Sequence, residues 1–336
     1  MRVGNGRVHY PGPDRRRRSI LLSIGLLTLL GMSPILGHHL ADSLDGLLSG
    51  TDHLAALCLI ALRALLAPVH GIFHVLLAAG VAYAFWERVR ADHLLRKTIS
   101  SVTWKPPAPG GAIEAAAGAA AVDPARILVA RGLPVPAFTA GWLRPRIYLA
   151  DELTDRLSSR ELAAVIAHEG AHAARRDPLC LSVLRFLGNA LFWIPVLRKL
   201  AEDCADEAEF RADDAASRGQ PYALANAILA AAEWGASYRG SLGVGIHNPD
   251  LLTRRVRRLA EVDVPARSHV TRSSILGAAC ALTLVWVTGV VMAHPLADGH
   301  THPHHCDHQH APAWTHLFCA WEAATPRGSV CPHEIR

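Results

Sequence analysis

The chain has 336 residues, a formal net charge of +5 and a hydrophobic share of 51%, and its mean hydropathy is positive at +0.19. This length suits one or two domains, and the apolar content makes hydropathy the first property to map along the sequence. Between residues 87 and 273 the charged side chains are scattered, without a long acidic or basic run. That distribution argues against direct binding of nucleic acid.

Three apolar stretches are long enough to cross a membrane, and each has a basic flank. They are 19–37, 54–86 and 274–293. Arg15 to Arg18 precede the first stretch, the segment 88–97 follows the second, and Arg267 and Arg272 precede the third. All three basic flanks fall on one side of the membrane when the spans alternate in direction. The pattern therefore predicts an integral membrane protein with three transmembrane helices.

The positive-inside rule then assigns a side of the membrane to each segment between the spans. It predicts a basic cytoplasmic N-terminus at 1–18, an external loop at 38–53, a cytoplasmic domain at 87–273 and an external tail at 294–336. Two alternatives stay open. Residues 1–37 could instead be a cleaved signal peptide, and 54–86 could be one span kinked near Pro68 or a re-entrant piece followed by a span.

The predicted cytoplasmic domain at 87–273 opens with irregular sequence and short strands. The segment 106–122 is rich in Pro, Gly and Ala and indicates a linker or a disordered arm. Strand signals punctuated by Gly and Pro follow at 127–130, 137–140 and 147–149. A small sheet of this kind suits a protease, because an exposed edge strand can pair with an extended substrate.

The most informative motif is the sequence His-Glu-Gly-Ala-His at 168–172. It lies within a predicted helix, because Ser158 and Glu161 form a capping box at the start. Asp177 precedes a proline, which ends the helix. The apolar residues between the cap and the motif recur at helical spacing. The motif is therefore expected in the middle of a well-delimited amphipathic helix.

Two of the motif's side chains are candidates for holding a metal ion, and a third for acting on water. His168 and His172 are four residues apart, so a helix presents both imidazoles on one face. Glu169 lies beside the first imidazole and can serve as a general base. A pair of surface histidines on an amphipathic helix is the alternative interpretation.

A catalytic zinc site needs a third protein ligand and one open position. Glu209 is the best candidate from the residues, because Asp213 follows one helical turn later and can hold a ligand imidazole from behind. Glu202 competes with it, since Asp206 stands at the same offset. A solvated acidic helix face is the alternative for both pairs.

Several ordered motifs between about 125 and 260 are similar to those of one family. They are Gly141 to Leu149, Glu161 to His172 followed by Arg175, Arg176 and Asp177, the sequence Phe192-Trp193-Ile194-Pro195, Gln220 to Ala223, and Leu251 to Leu259 with Arg254 and Arg255. On these residues the chain resembles the BlaR/MecR-type membrane metallopeptidases, a zincin family of antibiotic-sensing signal transducers.

The resemblance implies a helical zincin-type metallopeptidase domain with a small β-sheet, and one Zn²⁺ per catalytic domain. The family places its third zinc ligand fourteen residues after the proline at 195, which selects Glu209 over Glu202. It places an acidic partner at Asp213, and Asp177 is the further acidic residue expected behind a ligand. The resemblance also implies a protein substrate, such as a cytoplasmic transcriptional repressor.

The sequence departs from the family's type members in two respects. Its set of membrane spans is reduced, and no penicillin-binding sensor domain follows the last predicted span. The resemblance therefore supports the chemistry and gives no support to a β-lactam signal.

Glu169 is expected to take a proton from the attacking water and to return it to the leaving amine. The oxyanion formed during peptide hydrolysis needs a donor besides the metal. His247 is the candidate, with Arg254 and Arg255 behind it. A loop histidine satisfied by its neighbours is the alternative for His247.

The predicted external tail at 294–336 is crowded with histidines and also holds three cysteines. Its closely spaced candidates for binding copper or zinc ions are His300, His302, His304, His305, Cys306, His308 and His310. This tail is expected either to sense metal, in place of a drug-binding domain, or to bind metal without a role in signalling.

The leading functional hypothesis is a multi-pass zinc endopeptidase of the cell membrane that relays a signal by cleaving a cytoplasmic regulator. One alternative is an HtpX-like protease for quality control of membrane proteins. Another is a non-enzymatic metal-binding membrane receptor with a closed structural zinc site.

Overall fold

The computed structural model describes residues 14–33, 53–218, 220–237, 249–262 and 267–293. The expected external loop at 38–53, except His53 at its end, lies outside these residues, as do His247 and the whole tail at 294–336. Contacts divide the chain into two compact units. The first comprises Met1–Leu21 and Val81–Thr271, and the second comprises Leu22–Gly80 and Arg272–Arg336.

The described residues are mainly helical, with one small sheet. In chain order the helices are α1 (Asp14–Gly31), α2 (His53–Ser100), α3 (Ala112–Ala119), α4 (Leu153–Arg156), α5 (Ser159–Arg175), α6 (Asp177–Ala190), α7 (Pro195–Ala216), α8 (Pro221–Ser237), α9 (Pro249–Leu259) and α10 (Arg272–Ala293). The strands are β1 (Ile127–Ala130), β2 (Ala137–Ala140) and β3 (Arg146–Ala150). The expectation of a mainly α protein with a small sheet is confirmed.

Two described helices are long and apolar enough to cross a membrane. One lies within α2 at Ala61–Ser100, and the other is Arg272–Met292 of α10. The helix α2 continues through Pro68 without interruption. The expected first span at 19–37 overlaps α1, which is 18 residues long and begins with Asp14 and four arginines. This helix is not one of the two, so the third span stays a prediction.

Within the second unit, α10 makes polar contacts with α2 and with α1. The imidazole Nδ1 of His70 lies 3.1 Å from the hydroxyl of Thr288. The indole N–H of Trp286 donates to the carbonyl oxygen of Leu27 at 3.1 Å. A hydrogen bond within an apolar segment satisfies groups that lipid would leave without a partner.

The sheet of the first unit has the strand order β1-β3-β2. β1 runs parallel to β3, with Ile127 opposite Ile147. β2 runs antiparallel to β3, with Thr139 opposite Ile147. The three strand segments expected from the sequence are confirmed, with β3 one residue longer at each end. β2 is thus an outer strand of the described sheet.

The core of the first unit forms where the sheet packs on α3, α5 and α8. Its fully buried members include Ile127, Leu133, Ile147, Leu149, Leu162 and Ile166. The expectation of a linker or disordered arm over 106–122 is wrong for the part that forms α3. Ile113 and Ala117 of that helix are buried in this core. Their burial stabilises a helix that an Ala- and Gly-rich composition alone does not reveal.

The helix α5 has the ends expected from the sequence. The Ser158 hydroxyl accepts a hydrogen bond from the backbone N–H of Glu161, whose carboxylate accepts from the N–H of Ser158, so the capping box is formed. At the other end Arg176 adopts a left-handed conformation, with φ 54° and ψ 39°. The chain turns there and begins α6 at Asp177, which is followed by a proline suited to the first helical turn.

Candidate metal centre

The two motif histidines lie side by side on the buried face of α5. His168 is 8% exposed and His172 is 9% exposed. Because they are separated by one helical turn, their Nε2 atoms come to 3.2 Å from each other. Two imidazole nitrogens at this distance can bind one metal ion.

The helix α7 brings the carboxylate of Glu209 to the same point. Its Oε1 lies 3.4 Å from Nε2 of His172, and its Oε2 lies 3.5 Å from Nε2 of His168. The donor atoms of the three residues lie within 4.8 Å of one another. The structure therefore brings together the three side chains expected to hold a metal, from two helices.

The spacing of the donor groups is compatible with a zinc ion. Zinc binds imidazole nitrogen at about 2.0–2.1 Å and carboxylate oxygen at about 2.0–2.2 Å, so neighbouring ligands in a regular tetrahedron lie about 3.3–3.5 Å apart. The two imidazole nitrogens are 3.2 Å apart, and each lies 3.4 or 3.5 Å from a different oxygen of the Glu209 carboxylate. The donor set of two imidazoles and one carboxylate is also one that catalytic zinc sites use, with a fourth position open to water. The residues present thus fit this metal.

Each histidine has a carboxylate close to its Nδ1 atom, and at His172 the two groups form a hydrogen bond. The Nδ1 of His168 lies 3.1 Å from Oδ1 of Asp213, and the Nδ1 of His172 lies 2.8 Å from Oδ2 of Asp177. The hydrogen bond at Nδ1 of His172 favours the tautomer that leaves its Nε2 free to bind a metal, and it raises the basicity of that imidazole. At His168 the carboxylate of Asp213 is close to Nδ1 without a hydrogen bond. Asp213 and Asp177 are the two acidic residues that were named behind the ligands from the sequence, and each lies next to one of the two imidazoles.

Asp177 owes its position to the sharp turn between α5 and α6. The turn places Asp177 at the start of α6, where it is 1% exposed. Arg175 donates to the same Oδ2 atom at 2.9 Å. Burial would raise the pKa of Asp177, but His172 and Arg175 outweigh burial and hold the pKa below its ordinary value. The carboxylate therefore stays ionised behind the imidazole.

The site concentrates negative charge next to the imidazoles. Burial disfavours the charged form of His168, but the carboxylates of Asp213 and Glu209 outweigh it and raise the pKa of His168 to about 9. Burial would raise the pKa of Glu209, but His168 and Arg255 hold it far below its ordinary value. Cations stabilise this arrangement, and a metal ion that binds the imidazole displaces its proton.

Arg255 reaches the site from α9, and from the sequence it was named in the family-like stretch 251–259 and behind His247, without a contact to the metal ligands. Leu252, Val256 and Leu259 line one face of α9 and pack against a cluster that includes Leu224 of α8. This packing turns Arg255 towards α7. Its Nη1 lies 2.9 Å from Oε2 of Glu209.

Thr139 of β2 contacts the expected general base and was not singled out in the sequence. Its hydroxyl lies 2.7 Å from Oε2 of Glu169 and 3.0 Å from the backbone oxygen of the same residue. The two residues are thirty positions apart in the chain, so no local pattern links them. The polar member of a short strand beside the motif helix is the one sequence signal that could have suggested Thr139.

The competing carboxylate pair on α7 meets different partners. The Oδ2 of Asp206 lies 3.2 Å from Nε2 of His269 and 3.2 Å from Nη1 of Arg254. The Oε2 of Glu202 is 3.9 Å from Nδ1 of His269. Glu202 is not part of the group formed by the two motif histidines and Glu209.

The sequence was also compared with known proteins. A family model described as BlaR1 peptidase M56 matches residues 67–259, which is more than half of the chain. The matched range includes every side chain of the site described above. No curated protein matches the chain significantly.

Proposed function

Because this chain belongs to the BlaR1 peptidase M56 family, we propose that it is a membrane-anchored, zinc-dependent endopeptidase. The family assigns a peptidase domain to residues 67–259. The zinc-dependent activity is inferred from one observation, the meeting of His168, His172 and Glu209 at distances suited to a tetrahedral ion.

The proposed chemistry is hydrolysis of a peptide bond by water. Zinc held by the two imidazoles and the carboxylate would supply a Lewis acid that polarises the substrate carbonyl and acidifies water. Glu169 takes the proton of the attacking water on its carboxylate and delivers it to the nitrogen of the leaving amine. The Thr139 hydroxyl, 2.7 Å from Oε2 of Glu169, fixes the direction of that carboxylate.

The sheet offers a place for an extended substrate beside the general base. β2 is an outer strand of the described sheet, and β3 occupies one of its two edges. A peptide that pairs with the other edge extends the sheet by one strand. Because Thr139 of β2 contacts Glu169, a peptide bound there lies close to the catalytic carboxylate. A protein segment in extended conformation is therefore the proposed substrate.

The signalling role rests on the family and on the apolar helices. Two helices long enough to cross a membrane flank the peptidase unit in the chain. With basic residues next to both of them, we place the peptidase unit in the cytoplasm, and we propose a cytoplasmic regulator, such as a transcriptional repressor, as its substrate. The family match favours this role over quality control by an HtpX-like protease.

The test compares cells that produce the full chain with cells that produce Glu169→Gln. The variant keeps the three zinc-binding side chains, so it should retain zinc while cleavage falls by about 10²- to 10⁴-fold. Mass spectrometry of new protein N-termini in the two cell lines identifies the substrate. Glu202→Gln serves as the matched control, because Glu202 lies on α7 away from the imidazoles.

Undiminished cleavage in Glu169→Gln would rule out the mechanism. New N-termini on one cytoplasmic regulator would support the signalling role. New N-termini spread over many membrane proteins would favour quality control instead.

A further inference from the structure

The guanidinium of Arg255 contacts two carboxylates of α7 at once. Its Nη1 lies 2.9 Å from Oε2 of Glu209. Its Nε and Nη2 donate to the two oxygens of Asp213 at 2.8 and 2.7 Å. All three nitrogens are therefore engaged, and the side chain is only 15% exposed.

These contacts join two residues with different tasks in the metal centre. Glu209 is the proposed carboxylate ligand, and Asp213 lies 3.1 Å from Nδ1 of His168. Arg255 binds Glu209 through Oε2, while Oε1 of the same carboxylate faces His172 at 3.4 Å. A planar guanidinium with two parallel bonds to one carboxylate has a fixed direction. It therefore fixes the rotation of Asp213, and its Nη1 places a positive charge beside Oε2 of Glu209.

We propose that Arg255 is a positioning residue of the metal centre, which holds Glu209 and Asp213 in the orientations that binding of zinc requires. The proposal rests on the proposed function, since it takes His168, His172 and Glu209 as the ligands.

The direction in which zinc affinity changes when Arg255 is removed distinguishes a positioning role from simple charge repulsion. The Nη2 of Arg255 is 3.4 Å from Nε2 of His168, so the guanidinium lies near the place where the ion would bind. A cation that acted only through its charge would repel Zn²⁺ and weaken its binding. Removal of Arg255 would then tighten zinc binding. A residue that orients the ligands has the opposite effect, because its removal leaves two carboxylates free to turn away.

The chain offers a matched control on the same helix. Arg258 lies one turn after Arg255 on α9, and its Nη2 donates to Asp214 at 3.0 Å. Asp214 follows Asp213 directly in α7 but contacts neither motif histidine in the described residues. Arg258→Met therefore removes an arginine–aspartate pair between the same two helices and spares the metal centre.

The experiment measures zinc affinity of the full chain in detergent by competition with a chelator of known affinity. Arg255→Met should bind zinc about 10- to 100-fold more weakly, as loss of residues that support metal ligands typically does. Arg258→Met should bind zinc as tightly as the wild type. All the proteins carry the same histidine-rich tail, so its contribution to zinc binding is common to them.

Arg255→Lys provides a variant that keeps the positive charge if Arg255→Met fails to fold. Lysine cannot make the two parallel bonds to Asp213, so zinc affinity should fall by an intermediate factor. The visible absorption spectrum of the Co²⁺-loaded variant should also change, because it reports the geometry of the ligands. A purely structural Arg255 would lower the melting temperature and leave both the affinity and the spectrum unchanged.

Equal or tighter zinc binding by both Arg255 variants would overturn the proposal. If Glu209→Gln binds zinc as tightly as the wild type, Glu209 is not a zinc ligand. The proposed function is then wrong, and the proposed role of Arg255 is wrong with it. The two failures are therefore distinguishable in one series of measurements.

Discussion

The helix α7 carries two Glu-x-x-x-Asp pairs that look alike in the sequence and have different surroundings. Glu202 and Asp206 form one pair, and Glu209 and Asp213 form the other, seven residues further along. Seven residues are about two helical turns, so both pairs lie on nearly the same side of α7. An arginine of α9 contacts each pair.

The difference lies in the histidines that each pair meets. Glu209 faces His168 and His172, and each of these imidazoles has a second carboxylate close to its Nδ1 atom. Glu202 and Asp206 face only His269 among the described histidines, at 3.9 and 3.2 Å. Glu202 is also more exposed, at 45% against 30% for Glu209. A carboxylate pair becomes a metal site only where a second element presents ligands with the right spacing.

The first half of α7 instead fastens the chain that leads into α10. The carboxylate of Asp203 accepts a hydrogen bond from the hydroxyl of Ser268 and another from the backbone N–H of His269. Lys199 donates to the hydroxyl of Thr271 at 3.0 Å. Asp203 is 2% exposed, so these bonds satisfy a buried charge. The first half of α7 thus binds the segment that precedes α10, and the second half carries residues of the metal centre.

The largest expected effect is the difference in zinc affinity between variants of Glu209 and of Glu202. Glu209→Gln removes a ligand, so zinc affinity should fall by more than the roughly 100-fold that loss of a supporting residue can cause. Glu202→Gln should leave zinc affinity unchanged. Chelator competition on the full chain measures both variants. Equal losses of zinc affinity in the two variants would contradict the distinction between the two carboxylate pairs.

The two aspartates provide the next test. Asp213→Asn removes the charged group next to Nδ1 of His168, and zinc affinity should fall by about 10- to 100-fold. Asp206→Asn changes the pair that contacts His269 and Arg254, and it should leave zinc affinity at the wild-type value. A comparable loss in Asp206→Asn would show that the two halves of α7 are coupled.

The smallest effect is expected on kcat/KM in variants of Thr139 in β2. Thr139→Val removes the hydroxyl that contacts Glu169, and Thr139→Ser keeps it. A hydrogen bond to a charged group contributes about 1.5 kcal/mol at the lower end, which corresponds to about a tenfold loss of kcat/KM in the valine variant. Zinc affinity should be equal in both variants. Equal kcat/KM values for the two variants would show that the Thr139 hydroxyl does not assist the general base.

The sequence predicted the elements that depend on local patterns. The capping box at Ser158 and Glu161, the three strands and the helix with its motif all follow from neighbouring residues. The pattern of α7 could not choose between Glu202 and Glu209, because both have an aspartate four residues later. The family offset favoured Glu209, and in the described part of the chain the two motif histidines of α5 lie next to Glu209 and not next to Glu202.

Contacts between distant segments account for the features that were missed. The Ala- and Gly-rich composition around α3 indicated a linker, whereas burial of Ile113 and Ala117 in the core stabilises a helix. Arg255 is one of four arginines in α9, and only the packing of Leu252, Val256 and Leu259 determines which arginine reaches the metal centre.

Zinc K-edge X-ray absorption of the full chain, loaded with one equivalent of zinc, tests the central claim most directly, because it reports the atoms bound to the metal. The account predicts two imidazole ligands, oxygen in the other positions and no sulfur. It also predicts that the spectrum changes in Glu209→Gln and stays the same in Glu202→Gln. Sulfur ligands, or more than two imidazoles with no change in Glu209→Gln, would contradict a site built by His168, His172 and Glu209.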